Sequence, residues 1–206
     1  YPGTIGASYM DYVIADKVVI PPHAQADFTE KVVYLPHSYQ VNDSQRKVAD
    51  RTFSRDELGL PATGFVFCCF NNNFKILPPT FDGWMRILHA VEGSVLWLLE
   101  DNPIAARNLR REAQARGISA DRLVFASRVP MDQHLARQRM ADLFLDRLPY
   151  NAHTTASDAL WVGLPVLTCS GQSFASRVAA SLLHAVGLPE LVTQTQSAFE
   201  ARAIEL

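Results

Sequence analysis

The sequence has few cysteines, no surplus of positive charge and no long uninterrupted apolar run. Its three cysteines, Cys68, Cys69 and Cys169, are an odd number and lie in apolar, strand-like segments. We therefore expect buried free thiols in a reducing compartment, the cytoplasm, and no disulfide framework. Neither a Cys-x-x-Cys pair nor a cluster of His and Cys is present, which argues against a bound metal.

Other absences narrow the function further. The formal net charge of −2 argues against nucleic acid as a partner, because non-specific binding depends on neutralising phosphates. No segment has the apolar length of a membrane span, so we expect no membrane association. The sequence also lacks a Gly-x-Gly-x-x-Gly motif, a Walker loop and a Gly-x-Ser-x-Gly motif, so none of these motifs identifies a ligand or a reaction.

What the sequence does contain is a regular alternation of elements from residue 65 onward. The hydrophobic fraction is 48%, typical of a globular protein with a substantial core. Strands are predicted at 65–71, 94–100, 123–127, 143–146 and 165–169, and helices at 78–91, 102–117, 131–140, 154–163 and 173–187. Five strand–helix units predict an α/β fold with a doubly wound parallel sheet. Such sheets bind ligands beyond the carboxyl ends of their strands, where the strand order reverses.

The first part of the chain has a different pattern. The β-branched runs at 12–20 and 31–35 predict two further strands. Residues 41–62 are polar and predict a linker, which divides the chain into segments 1–40 and 63–206. The chain begins with Tyr and its last residues look like a helix without a cap, so we expect a fragment of a longer protein.

The segment NAHTTASDALW places polar residues between two apolar strands. If a helix begins near Thr154, its first N–H groups and its dipole form a site for an anion, to which His153 and the hydroxyls of Thr154 and Thr155 can contribute. Asp158 lies one turn later and can accept hydrogen bonds from sugar hydroxyls. The alternative, equally open at this point, is that Thr154 is an ordinary helix N-cap and Asp158 an ordinary first-turn charge.

Two other joints carry candidate residues. Lys75 follows a buried strand in FNNNFKI and can stabilise a departing diphosphate, although a solvated loop lysine is the alternative. His134 and Arg137 are three residues apart and share a helix face, where they can frame a nucleotide base. The alternative for this pair is an ordinary exposed helix face.

Several of these segments, in this order, resemble the O-GlcNAc transferase family, which modifies Ser and Thr of proteins. The resemblance rests on YPGTIGASYMDYVIAD, KVVYLPHSY, CFNNNFKI, SVLWLL, HTTASDALWVGLPV and SRVAASLL. It implies a bacterial-type member with a GT-B architecture, in which two Rossmann-like domains hold the donor between them. The chain would contain the end of the first domain (1–40), the linker and the C-terminal donor-binding domain (63–206).

The resemblance also implies the reaction: inverting transfer of GlcNAc from UDP-GlcNAc to protein Ser or Thr, without a metal or other cofactor. The remainder of the first catalytic domain and a tetratricopeptide superhelix would belong to the parent protein. Because the first domain is incomplete here, we expect the fragment alone to be inactive.

The resemblance assigns ten donor-site residues. Lys75 would contact the diphosphate and be required for activity, and His153, Thr154 and Thr155 would contact the phosphates. Asp158 would bind the ribose. The remaining positions would surround the uridine or line the pocket: Asn72, Leu99, Val129 (through its backbone), His134 and Arg137.

Two positions of the sequence depart from the family pattern. Asn72 stands where the animal enzymes have Gln, and Met131 where they have a Lys near the ribose. These differences leave open a related transferase that uses another donor, such as GDP-fucose. A degenerate, non-catalytic interaction module is the other alternative.

Overall fold

The computed structural model describes residues 2–206, and its main feature is a parallel sheet covered by helices. The strands are β1 (Tyr12–Ala15), β2 (Lys31–Tyr34), β3 (Val66–Cys69), β4 (Val95–Leu99), β5 (Leu123–Ala126), β6 (Leu143–Leu145), β7 (Val166–Cys169) and β8 (Val192–Thr193). The helices are α1 (Pro78–Ala90), α2 (Pro103–Ala115), α3 (Met131–Gln138), α4 (Thr154–Trp161), α5 (Val178–Ala185) and α6 (Gln196–Glu205).

Six parallel strands form the main sheet in the order β5-β4-β3-β6-β7-β8. Counted along the chain from β3, this order is 3-2-1-4-5-6, that of a Rossmann-like doubly wound sheet. The predicted fold class is therefore confirmed. The order reverses between β3 and β6, so the connections that leave these two neighbours run in opposite directions. A crevice opens between their carboxyl ends, and the predicted polar joints lie there.

The apolar runs form central strands because helices cover both sheet faces. Every residue of β3 and of β4 is buried. Trp84 of α1 and Trp97 of β4 are fully buried in the same core. Helix α1 begins with two prolines, which is favourable because the first helical N–H groups have no partner within the helix. Helix α2 begins after Asn102, whose side chain accepts a 2.9 Å hydrogen bond from the N–H of Ile104.

Three elements differ from the sequence-based prediction. The strand predicted at 12–20 ends at Ala15, because the Asp16 carboxylate accepts hydrogen bonds from the N–H groups of Val18 and Val19 and turns the chain. The helix predicted at 173–187 begins with a separate 3₁₀ turn, Phe174–Ser176. Strand β8 has only two residues, too short for a periodicity, and was not predicted.

The first segment packs against the main unit through α5. Strands β1 and β2 form a small parallel sheet, and an apolar cluster joins Val19 and Ile20 to Phe174 and Val178. Asp16, which is 1% exposed, lies beside this cluster. It accepts hydrogen bonds from the Tyr39 N–H at 2.9 Å and from the Ser181 hydroxyl at 2.7 Å. This carboxylate therefore ties the first segment to α5.

The polar stretch 41–62 contains no helix or strand apart from a short 3₁₀ turn, Asp56–Leu58. It lies against the main unit: Arg46 pairs with Asp158 of α4, and the N–H of Ala49 donates to the Asp132 carbonyl at 3.0 Å. The division at 1–40, 41–62 and 63–206 stays a prediction. Cys68, Cys69 and Cys169 are free and buried, as predicted. Within residues 2–206, every helix falls short of the length and apolarity that crossing a bilayer requires.

Replacing Asp16 by alanine should destabilise the fold strongly. The change removes one acceptor of the buried Ser181 hydroxyl and the acceptor of three backbone N–H groups, and we expect a loss of about 3 kcal/mol in the free energy of unfolding. In a chain of this size that loss lowers the melting temperature by roughly 6–12 °C, which thermal denaturation can measure. The matched control is Asp11→Ala, at an exposed residue; equal effects of the two changes would contradict the anchoring role of Asp16.

Candidate functional site

Two adjoining lobes of one crevice lie at the carboxyl ends of the central strands. The β3–β6 lobe has a volume of about 270 Å³ and is lined by Phe70, Asn71, Asn72, Lys75, Tyr150, Asn151, His153, Thr154 and Thr155. The β4–β5 lobe has a volume of about 250 Å³ and is lined by Phe70, Asn72, Leu99, Arg128, Val129, Met131, His134, Arg137, Thr155 and Asp158. The structure thus brings all ten residues predicted from the sequence to one crevice.

The beginning of α4 forms one wall of the β3–β6 lobe. His153 occupies the N-cap position but makes no side-chain capping bond, and Thr154 is the first helical residue, so the simple N-cap alternative for Thr154 is wrong. The N–H groups of Thr154 and Thr155 donate no hydrogen bond within residues 2–206. The Thr155 hydroxyl donates to Asn71 Oδ1 at 2.8 Å. The open N–H groups and the helix dipole make this wall attractive to an anion.

Lys75 faces this wall from the other side of the crevice. It ends a 3₁₀ turn, Asn73–Lys75, that directly follows β3. Its ammonium lies 4.9 Å from the ring centroid of Tyr150, and among the described residues it forms no ion pair. Desolvation lowers the pKa of Lys75, and the nearby Arg147 lowers it further. The lobe therefore holds a cation without a counter-charge.

The joint after β6 supplies the other charged and aromatic groups. Tyr150 stacks on His153 with the ring centroids 4.6 Å apart. Burial lowers the pKa of His153, as do Lys75 and Arg147, which favours the neutral imidazole. Arg147 is buried behind the lobe and donates from Nη1 to the Tyr150 carbonyl at 2.6 Å. Its Nε and Nη2 have no hydrogen-bond partner among residues 2–206, so its charge also stays without a carboxylate.

Asp146 fixes the shape of this joint. Its carboxylate is buried and accepts hydrogen bonds from the Ala152 N–H at 2.7 Å and from the Thr168 hydroxyl at 2.6 Å. Burial raises the pKa of Asp146 to about 6, although both hydrogen bonds lower it. By holding Ala152, Asp146 sets where His153 and the beginning of α4 lie.

In the β4–β5 lobe, His134 and Arg137 form one unit. Arg137 Nε donates to His134 Nδ1 at 3.1 Å, and Nη1 donates to the Ser127 carbonyl at 2.7 Å. Desolvation, together with Arg137 and Arg128, lowers the pKa of His134 to about 4, so the imidazole is neutral at pH 7 and its Nε2 carries the proton. Arg137 is buried, so the exposed-face alternative for this pair is wrong.

The lobe has an apolar wall and a polar rim, a combination suited to a flat ring. Leu99, at the end of β4, is buried at the wall. The backbone of Val129 makes no hydrogen bond within the described part of the chain and is open to a ligand. Met131 is 54% exposed at the rim. Asp158 lines this lobe together with Thr155 and pairs with Arg46.

Several lining or supporting residues were not singled out from the sequence. Asn71 and Tyr150 lie in joints whose polar composition marks them as candidate ligand sites. That composition does not distinguish these two residues from their neighbours. Arg46 lies in the predicted linker, 112 residues from Asp158, and no local pattern relates the two. A more open cavity of about 560 Å³ lies beside the first segment, near Lys17, His37 and His184, and contains none of the predicted residues.

The fold and the crevice define a class: the Rossmann-like half of a GT-B glycosyltransferase, with its site where the strand order reverses. The model of the family described as Glycosyl transferase family 41 matches residues 1–53 and 50–206. The chain belongs to this family.

Relatives of known sequence are consistent with that assignment. A probable UDP-N-acetylglucosamine–peptide N-acetylglucosaminyltransferase, SEC, of Arabidopsis thaliana is 36% identical over 212 residues, which cover 100% of this chain and 22% of the relative. A UDP-N-acetylglucosamine–peptide N-acetylglucosaminyltransferase of Caenorhabditis elegans is 40% identical over 153 residues, 74% of this chain and 13% of the relative. The chain therefore corresponds to less than a quarter of each of these two proteins.

Solved structures agree with the fold. A mutant of the O-GlcNAc transferase of Thermobaculum terrenum superposes with a TM-score of 0.86 at 33% identity, covering 100% of this chain and 39% of that one. Sucrose-phosphate synthase from Thermosynechococcus elongatus superposes with a TM-score of 0.56 at 14% identity, covering 94% of this chain and 53% of that one. The second likeness concerns the fold alone.

The raised pKa of Asp146 predicts a pH-dependent contribution to stability. Because the native carboxyl binds its proton more tightly than the unfolded chain does, its contribution is fully present below about pH 4 and is lost as the pH rises through about 6. The variant Asp146→Asn lacks this titration. The wild-type free energy of unfolding should therefore fall relative to that of the variant by roughly 2 kcal/mol between pH 4 and pH 7.

Urea denaturation of both proteins at several pH values measures this difference. The matched control is Asp50→Asn, a change at an exposed carboxylate. A difference between wild type and Asp146→Asn that stays constant over this pH range would contradict the prediction.

Proposed function

We propose that this chain is the donor-binding part of a protein O-GlcNAc transferase, which binds UDP-GlcNAc and transfers GlcNAc to Ser or Thr of proteins. The proposal rests on one observation: Lys75, a cation without a counter-charge in the described part of the chain, lines the same lobe as the open N–H groups at the beginning of α4. Membership of the family and the names of the relatives support the choice of donor.

The β3–β6 lobe suits the diphosphate. Lys75 supplies a charge, the N–H groups of Thr154 and Thr155 supply directed donors, and the Thr154 hydroxyl adds another. Arg147 adds positive potential from behind the wall without occupying the lobe. The empty lobe has a positive charge without a counter-charge among residues 2–206. The negative charge of a diphosphate balances it, and the phosphate oxygens accept hydrogen bonds from the N–H groups and from the cation.

The β4–β5 lobe suits the nucleoside. The apolar wall at Leu99 and the edge of Phe70 fit the faces of a uracil ring, and the backbone of Val129 is free to hydrogen-bond its edge. The neutral His134 offers Nε2–H as a donor. Thr155, which both lobes share, and Asp158, which lines the β4–β5 lobe, are then placed for the ribose. Asn72, which both lobes share, lies where the ribose meets the phosphates.

In this proposal Lys75 and the α4 N–H groups act on the leaving UDP. Negative charge develops on the β-phosphate as the glycosidic bond breaks, and fixed cations and donors beside it stabilise that charge. Lys75 and the α4 N–H groups thus stabilise the leaving UDP as a bound metal ion does in other enzymes. We therefore propose a metal-independent reaction without a cofactor. Attack by the acceptor hydroxyl from the opposite face of the sugar makes the reaction inverting. The other catalytic domain and the tetratricopeptide repeats of the parent protein would present the acceptor.

The first test is calorimetric titration of UDP, UDP-GlcNAc and GDP into the chain. We expect UDP and UDP-GlcNAc to bind saturably, and Lys75→Ala to weaken both by about tenfold or more, since a charge-assisted hydrogen bond is worth roughly 1.5–3 kcal/mol. The matched control, Lys31→Ala, removes an exposed lysine outside the crevice and should leave binding unchanged.

A preference for GDP would replace this proposal by a related transferase that uses a GDP-sugar, a difference that Asn72 and Met131 are placed to cause. Absence of binding by the longer parent protein as well would favour a non-catalytic interaction module.

The second test concerns the chemical step in the full-length parent enzyme. If Lys75 stabilises the charge that develops on UDP, Lys75→Ala should lower kcat by about 10²–10³-fold, a larger factor than its effect on donor affinity. Single-turnover transfer to an acceptor peptide, beside donor titration of the same variant, separates the two quantities. An unchanged kcat beside a weakened donor affinity would show that Lys75 contributes to binding only and contradict its role in the chemical step.

A further inference from the structure

We propose that Arg46 is a positioning residue of the nucleoside site: it holds one carboxylate oxygen of Asp158, so that the other is free to accept hydrogen bonds from a vicinal diol of the ligand. The inference rests on the proposed function, because the diol is taken to be the ribose of the nucleotide. If the inference holds, the polar segment around Arg46 is part of the binding site in addition to linking the two parts of the chain.

The segment 42–49, here called the strap, is held against the beginnings of two helices. Asn42 accepts a hydrogen bond from the Ser157 hydroxyl, and Arg46 pairs with the neighbouring Asp158. Farther along, the Ala49 N–H donates to the Asp132 carbonyl of α3. The Arg46 guanidinium also lies 5.8 Å from the ring centroid of Trp161, one turn after Asp158. The strap is therefore attached to α3 and α4 at three separate points, one of which is Asp158 of the β4–β5 lobe.

The Arg46–Asp158 pair is shielded from water. The side chains are 17% and 4% exposed, and Nη1 of Arg46 donates to Oδ1 of Asp158. Oδ2 receives no hydrogen bond from residues 2–206, while Asp158 itself lines the β4–β5 lobe. One oxygen is thus occupied by the strap, and the other is open on the ligand side. A buried carboxylate without a partner would be costly, so Arg46 makes this arrangement possible.

The charge state of Asp158 decides what it can do. Burial raises the pKa of Asp158, and Arg46 lowers it by charge and hydrogen bonding. Three other groups that line the same lobe are titratable or charged: Arg128, His134 and Arg137. Arg137 is committed to His134 and Ser127, and Arg128 to Asn72 at 3.4 Å, so among the described residues Arg46 alone forms an ion pair with Asp158.

The inference predicts a pH-dependent defect when Arg46 is removed. Without the guanidinium, burial acts on Asp158 unopposed and the carboxyl takes up a proton at higher pH than in the wild type. A protonated carboxyl offers fewer acceptor sites to a diol. We therefore expect Arg46→Ala to bind UDP about tenfold more weakly than wild type at pH 6, where one charge-assisted hydrogen bond is lost. The defect should be smaller at pH 8.

The test compares four proteins and two ligands by calorimetry at pH 6 and pH 8. Arg46→Lys keeps a cation on the strap and should restore most of the UDP affinity. Arg51→Ala removes an arginine of the same polar stretch that pairs only with the exposed Glu57, and should bind as wild type does. Inorganic pyrophosphate, which lacks the ribose, should bind wild type and Arg46→Ala alike.

A carboxyl-carbon NMR titration of Asp158 without ligand provides an independent readout. The midpoint should move upward in Arg46→Ala and return toward wild type in Arg46→Lys. An unmoved midpoint would overturn the inference, as would equal losses of UDP and pyrophosphate affinity, which would make Arg46 a general attractor of anions. If wild type binds pyrophosphate but not UDP, the positioning role is overturned and an anion site remains. If wild type binds neither, whether tested as this chain or within the longer parent protein, the proposed function fails and the ligand-facing role fails with it, even if the NMR midpoint moves.

Discussion

The reversal of strand order between β3 and β6 is the constraint on which the rest of the site depends. Two neighbouring parallel strands end side by side there, and their connections leave in opposite directions, so no element fills the space between them. The joint after β3 brings Lys75 to one side, and the joint after β6 brings the beginning of α4 to the other.

Electrostatics complements this geometry. Lys75 and Arg147 both lie near the end of α4 that carries positive partial charge, and neither pairs with a carboxylate among the described residues. The nearest buried acid of the joint, Asp146, is committed to Ala152 and Thr168 and serves the shape of the loop. The other acid of the crevice, Asp158, is compensated by Arg46. The β3–β6 lobe therefore contains positive charge and no carboxylate from residues 2–206, whereas the β4–β5 lobe contains one carboxylate, Asp158, besides Arg128 and Arg137.

Much of the fold was predictable because its elements have strong local signals. The runs FVFCCF and VLWLL are too apolar for anything but central strands, and the short joints leave only a parallel arrangement. The failures have local causes. The run 12–20 looked like a single strand because its hydrophobicity continues beyond Asp16, whose hydrogen bonds to Val18 and Val19 turn the chain. Strand β8 pairs through only two residues, and its identity as a strand comes from β7 beside it.

The sequence by itself determined which joints are polar, and the family resemblance named ten residues whose side chains or backbones the structure brings to one crevice. Local pattern is enough to place the polar joints together, because in a parallel sheet every joint that follows a strand emerges at the same edge. Only the tertiary structure decided which of these residues are paired and which are left open. The contact between Arg46 and Asp158 joins positions 112 residues apart, and the stacking of Tyr150 on His153 depends on how Asp146 folds the joint. Such pairings follow from the packing of the whole chain, and it is burial that gives them their strength, since the same charges in water would interact only weakly.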